Sequence, residues 1–177
     1  AELPRHAKCD ILVAGIERGE NAYIPNGNFI LQNGDLVSII ASPRNAATFF
    51  RNIGLATNQV KNCLIVGGGT IAVYLARQLL EMKIRVVIID KSMERCQLLI
   101  EHLPEAVVIH GDGTSRKLLM EENLEGVEAF VALTNMDEEN IMLSLFAREH
   151  SKGKLITKVN RMSFDNILDQ LDLGSII

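Results

Sequence analysis

One short run of residues carries chemistry with a clear address. Gly67-Gly68-Gly69-Thr70-Ile71-Ala72 fits the pattern G-x-G-x-x-G/A, and Asp90 follows Gly67 by 23 residues. Each position has a physical reason. Gly67 permits a tight turn, Gly69 offers no Cβ to keep a pyrophosphate off the backbone, and Ala72 lets a helix lie close to the preceding strand. The unpaired N–H groups and the dipole of a helix that starts there favour a phosphate, and Thr70 and Ile71 would contribute those groups. Asp90, at the end of the next expected strand, can accept hydrogen bonds from both ribose hydroxyls and repels a 2′-phosphate. NAD(H) or an adenine nucleotide is thus favoured over NADP(H), although Lys91 beside Asp90 softens that preference. The other reading is that the glycines only pack the helix. No arginine stands immediately around Gly67 to Ala72 to clamp a terminal phosphate, which places NAD a little ahead of ATP.

Other candidates are weaker. Asp112 follows an expected strand and could accept from an adenine amino group, or simply cap the turn before Thr114 and Ser115. Thr134-Asn135 could face the ligand's phosphates or its second half, or serve as turn residues. Asp137-Glu138-Glu139 resembles an acid–base or metal cluster, but the first turn of a helix also favours such residues. Catalytic machinery is what the chain lacks. The two tyrosines are Tyr23 and Tyr74, and Tyr74 is followed four residues later by Gln78 rather than the lysine that a short-chain dehydrogenase needs. His6, His102, His110 and His150 are scattered, and no substrate-holding domain follows the glycine motif. The ligand therefore reads as a signal rather than a reagent.

The elements that must position these residues alternate regularly. Strands are expected at 63–66, 85–89, 106–109, 127–133 and 154–159, with a short last one at 175–177. Helices are expected at 69–82, 92–102, 115–122, 137–150 and 163–171. Strands so continuously apolar are covered on both faces, and repeated βα units imply an α/β, Rossmann-like, doubly wound parallel sheet. Residues 8–42 differ: short apolar runs punctuated by Asn26-Gly27 and Asn33-Gly34 read as a small β-rich partial domain. A short helix at 44–54, with Phe49, Phe50 and Ile53 on one side, and a patternless stretch at 56–59 join the two. On the helix at 137–150, Ile141, Leu145 and Arg148 can face the core side or its edge, whereas Met142, Phe146 and Glu149 run along another; Met142 and Phe146 could serve assembly, or all the apolar positions could be buried by the sheet.

Composition narrows the function classes. The chain has 177 residues, 47% of them hydrophobic and 23% charged, so a disordered chain is excluded. Its net charge of −4, with no basic run, argues against nucleic acid as the main partner. That charge resides in residues 61–177, which hold 13 Lys+Arg against 17 Asp+Glu; residues 1–60 balance at five and five. The longest apolar runs, such as Val86-Val87-Ile88-Ile89, are strand-sized. Cys9, Cys63 and Cys96 show no Cys-x-x-Cys spacing, which points away from zinc and disulfide frameworks.

The strand and glycine loop from Cys63 to Ala76, Asp90, Gly111-Asp112, Leu133-Thr134-Asn135 with Asp137 to Asn140, and Asn160-Arg161-Met162 follow one another as in RCK/KTN domains. The chain most resembles the second such domain of Trk-type potassium-uptake regulatory subunits, the TrkA proteins. Ile24-Pro25-Asn26-Gly27 and Asn33-Gly34-Asp35-Leu36 resemble the later half of the small RCK C-terminal domain. The resemblance implies a partial RCK C-terminal domain at 1–43, a connector at 44–60, an RCK Rossmann domain at 61–177, and a piece of a longer protein. It also implies a cytoplasmic role at the inner face of the cell membrane. There a homo-oligomeric ring of such domains would bind NAD(H) or ATP/ADP and gate a Trk-type potassium-transporting membrane protein.

Overall fold

The computed structural model describes residues 9–19, 21–55, 60–160, 171 and 173–177. The chain divides into two compact units, residues 1–59 and 60–177.

In the first unit, β1 (Leu12–Arg18) pairs antiparallel with both β2 (Asn21–Tyr23) and β3 (Leu36–Ile40), in the order β2-β1-β3. A bulge between Val13 and Gly15 shifts the β1–β3 register. The Arg18 guanidinium grips the Asp35 carboxylate through Nε and Nη2, both at 2.7 Å, and donates from Nη2 to the Ile30 carbonyl at 3.1 Å. The hydrogen bond from Arg18 and one from the Gln32 amide hold the Asp35 carboxyl down to about 2. Ile24, Ile30, Leu12, Leu36 and Ile40 are all exposed. The helix α1 (Pro43–Asn52) starts with the Ser42 hydroxyl accepting from the Asn45 amide and a proline in its first turn. It begins one residue before the expected span and stops two residues short of it. Gly54 then takes a positive φ of 78° just beyond its end.

The second unit is the expected doubly wound parallel sheet. Six strands run in the order β6-β5-β4-β7-β8-β9: β4 (Asn62–Val66), β5 (Arg85–Asp90), β6 (Val107–His110), β7 (Ala129–Ala132), β8 (Lys154–Thr157) and β9 (Ser175–Ile176). Every pairing is parallel. The alternation of β4 feeds two cores. Cys63 and Ile65 face α2 (Thr70–Glu81) and α3 (Met93–His102), whereas Leu64 and Val66 face α4 (Arg116–Glu121) and α5 (Asp137–His150). Ala72 and Ala76 are completely buried, so α2 lies close against β4 and β5 as the small residues require. Because β5 lies on one side of β4 and β7 on the other, the chain reverses winding direction at β4. A crevice opens beyond the strand ends at such a point.

Most boundaries agree with expectation within one or two residues, and α5 agrees fully. The strand expected at 127–133 shows the physical reason for one such trim. It shrinks to Ala129–Ala132 because a short 3₁₀ turn, Leu124–Gly126, precedes it, entered through Asn123 at φ 59°. The buried face of α5 is Asn140, Leu143, Ser144 and Ala147. Ile141 and Leu145 pack instead beside Val159 and Leu173. Phe146 is also drawn inward: it packs against the second core and its ring lies 4.2 Å from that of His150, leaving Met142 as the exposed apolar residue of the pair considered for assembly. Residues 163–170 of the expected last helix lie outside the described residues.

Candidate functional site

A cavity of about 290 Å³ lies beyond the carboxyl ends of the central strands, bordered by Gly67–Gly69, Asp90, Lys91, Arg95, Asp112–Thr114, Leu133–Met136 and Glu139. The three glycines meet three different demands. Gly67 adopts φ 103°, and a Cβ there would sit 2.6 Å from the Leu133 carbonyl oxygen. A Cβ on Gly68 would lie 2.5 Å from Leu99 Cδ1 and 3.2 Å from Asp90. A Cβ on Gly69 would meet nothing within 4 Å. Gly67 is therefore required by the backbone against it, a Cβ on Gly68 would have to displace the end of the Leu99 side chain and crowd Asp90, and Gly69 borders open space.

The helix behind the loop starts without a side-chain cap, as α5 does at Met136 and unlike the other described α-helices. Ser42, Ser92 and Ser115 each cap a helix by accepting a backbone N–H bond, whereas α2 begins at Gly69 with no side-chain cap. Its first amides are left for solvent or an anion.

Asp90 faces this loop and is only 6% exposed. Its Oδ2 accepts the Gly68 amide at 2.7 Å, and its Oδ1 accepts the Ser92 amide at 2.7 Å and Arg95 Nε at 3.1 Å. Burial pushes the carboxyl upward, but the bonds from Ser92, Gly68 and Arg95 outweigh it and hold the group below the usual carboxylate range. Asp90 thus fastens the glycine loop to β5 before any ligand is considered. The Cys96 thiol, buried beneath, donates to the Asp90 carbonyl at 3.4 Å.

The opposite wall is built on a buried amide. Asn140 is fully buried; its Oδ1 accepts the Thr134 amide at 2.8 Å, and its Nδ2 donates to the Thr134 and Lys158 carbonyls at 3.2 and 2.9 Å. Lys158 Nζ adds a bond to the Thr134 carbonyl at 3.3 Å. Asp137, expected as a helix-start acid, accepts the Asn160 amide and Nδ2 at 3.0 and 2.7 Å.

Of the residues singled out from sequence, Gly67, Gly69, Asp90, Lys91, Asp112 and Thr134 all border the cavity. Thr70 borders an adjoining groove between α2 and α3, and Ile71 is 48% exposed. The Asp112 carboxylate is engaged by the Thr114 amide and hydroxyl, at 2.9 and 2.7 Å, which hold it below its ordinary range. His110 bonds the Lys91 carbonyl at 3.2 Å. No group of His, Cys, Asp and Glu able to hold a metal occurs among the described residues.

Two placements come from the tertiary structure. No arginine stands immediately around Gly67 to Ala72, but Arg95, 23 residues beyond Ala72, lies against the cavity because the Ser92 cap places it in the first turn of α3, reaching back to the end of β5. A serine cap followed three residues later by arginine was the available signal. Asn140 belongs to the Leu133-to-Asn140 run that carries the family resemblance, but its bonds to Thr134 and Lys158 have no local signal.

Comparison with known proteins agrees with this architecture. The TrkA-N domain model matches residues 63–177 and the TrkA-C domain model matches residues 1–54. The Trk system potassium uptake protein TrkA of Halomonas elongata is 36% identical over 167 residues, which is 94% of this chain and 36% of that protein. The chain spans about a third of the length of the curated relatives it matches. Among solved structures, the GsuK RCK domain superposes with a TM-score of 0.70 at 19% identity, covering 99% of this chain and 37% of that one. The GsuK channel bound to NAD gives 0.64 at 20% identity, covering 99% and 31%. At these identities the structural likeness is one of fold. With its parallel sheet, its glycine turn and both domain models in sequence order, the chain belongs to the TrkA-N domain family, preceded by a TrkA-C segment.

Proposed function

We propose that this chain is a nucleotide-sensing regulatory module of a Trk-type potassium-uptake system, binding NAD(H) foremost and ATP/ADP as alternatives without consuming them. The observation that carries the reading is the open space over Gly69 at an uncapped helix start, with the Asp90 carboxylate one strand away. Gly67 and Gly69 shape the loop, the Thr70 and Ile71 amides offer donors to phosphate, and Asp90, Lys91, Asp112 and Thr134 line the remainder. Support comes from relatives named for Trk potassium uptake and from an RCK channel of the same fold bound to NAD. Residues 61–177 form the nucleotide domain, 44–60 the connector and 1–43 the TrkA-C-like part. The module acts in the cytoplasm, in a homo-oligomeric ring beside its membrane-embedded transporter. No helix among the described residues is long and apolar enough to cross a membrane. Gating requires only that the nucleotide bind two ring conformations with different affinity.

Titration calorimetry with NADH, NAD, ATP and ADP tests the site. Wild type should bind at least one. Gly69→Val should weaken that binding by roughly tenfold or more, as one lost close approach of ligand to backbone implies. Its melting temperature should barely change, because a Cβ at this position meets no protein atom within 4 Å. Unaltered affinity in that variant would remove the ligand from this crevice.

A further inference from the structure

We infer that Arg95 is the specificity-determining residue of the crevice: ligand binding transfers its guanidinium from Asp90 to the ligand's phosphate. The inference rests on the adenine-nucleotide reading above and adds which derivatives the site retains.

The argument begins with hydrogen-bond capacity. An ionised carboxylate offers about four lone-pair sites. Asp90 already fills three of them, with the Gly68 amide, the Ser92 amide and Arg95 Nε. A ribose diol brings two donors, so seating both on Asp90 displaces one protein donor. Gly68 and Ser92 are backbone donors at 2.7 Å, fixed by the glycine turn and by the start of α3. Arg95 holds the longest of the three bonds, 3.1 Å, and its side chain is 42% exposed. It is the donor that yields.

The released group has somewhere to go. Arg95 borders both the crevice and the adjoining groove, and Gly69 and Thr70, at the uncapped start of α2, line that same groove. Its Nη atoms make no hydrogen bond with the described residues. A planar guanidinium fork matches phosphate oxygens in pairs. Adenosine, which has the diol but no phosphate, costs the Asp90–Arg95 bond and returns nothing to Arg95. ADP and NADH return a charge-assisted contact.

Calorimetry on the full chain with adenosine, ADP and NADH tests this. Arg95→Ala should weaken ADP and NADH by about tenfold or more, the range expected for one charge-assisted phosphate contact. Adenosine affinity should stay level or rise, so the ADP-to-adenosine ratio collapses. Arg95→Lys, which keeps the charge, should recover part of the ADP affinity. Equal weakening of all three ligands would make Arg95 merely structural and overturn the inference, as would an unchanged ratio. Wild type that binds none of the three would instead overturn the nucleotide reading itself.

Discussion

Two turns stand side by side at the rim of the sheet, one after β4 and one after β7, and they are finished in opposite ways. The β7 turn is closed by the protein. Asn140 and Lys158 satisfy both backbone groups of Thr134, and the Thr134 hydroxyl bonds to Met136. The β4 turn is closed only at its root, where the Gly67 amide reaches the Ile89 carbonyl and the Gly68 amide reaches Asp90. From Gly69 onward it has neither a cap nor a covering side chain. Unmet amides are tolerable at the β4 turn because Thr70 and Ile71 are exposed to water, while its root is packed against the adjoining turn, the Leu133 carbonyl lying where a Gly67 Cβ would be.

That contrast can be broken. Gly67→Ala attacks the point where the turns touch, adding a methyl against backbone at φ 103°. It should cost about 3 kcal/mol, combining left-handed strain with overpacking. Urea denaturation measures it, and a loss under about 1 kcal/mol would mean that the turns are not mutually braced. Asn140→Ala should come next, at about 2 kcal/mol, since Thr134 and Lys158 backbone groups lose a buried partner. It should also raise amide exchange at Thr134, which hydrogen exchange would detect; unchanged protection there would refute the clamp.

The smallest effect sharpens the comparison by pH. The folded Asp90 carboxyl is held below its ordinary range, so it contributes stability above the unfolded value near ~3.9. That contribution fades as pH falls through the lower folded value, because the unfolded chain takes up the proton first. Asp90→Asn lacks this dependence, so the difference in melting temperature between wild type and variant should narrow on acidification from pH ~5. A constant difference would show that the charge on Asp90 does not hold the loop.

How much of this was legible differs by region. The strands around 63–66 and 85–89, the glycine turn and the α5 span were readable, because apolar runs, glycine spacing and an acidic first turn are local signals. The 3₁₀ turn before β7 was not, since Asn123 at positive φ looks like any polar residue. Helical spacing leaves Phe146 open to either burial or assembly, and the structure packs it against the second core and His150. In the first unit, the Arg18–Asp35 pair joins residues 17 apart that no period connects.

The amino-acid order by itself determined the alternation of strand and helix, the family resemblance and the address of the glycine loop, because each depends on neighbours within a few residues. Only the tertiary structure decided that Asp90 is already occupied, that Arg95 stands beside the loop, and that Asn140 braces the facing wall. Those facts depend on parallel strands bringing distant segments to one edge, where burial makes every unpaired polar group costly and so dictates which side chains must meet.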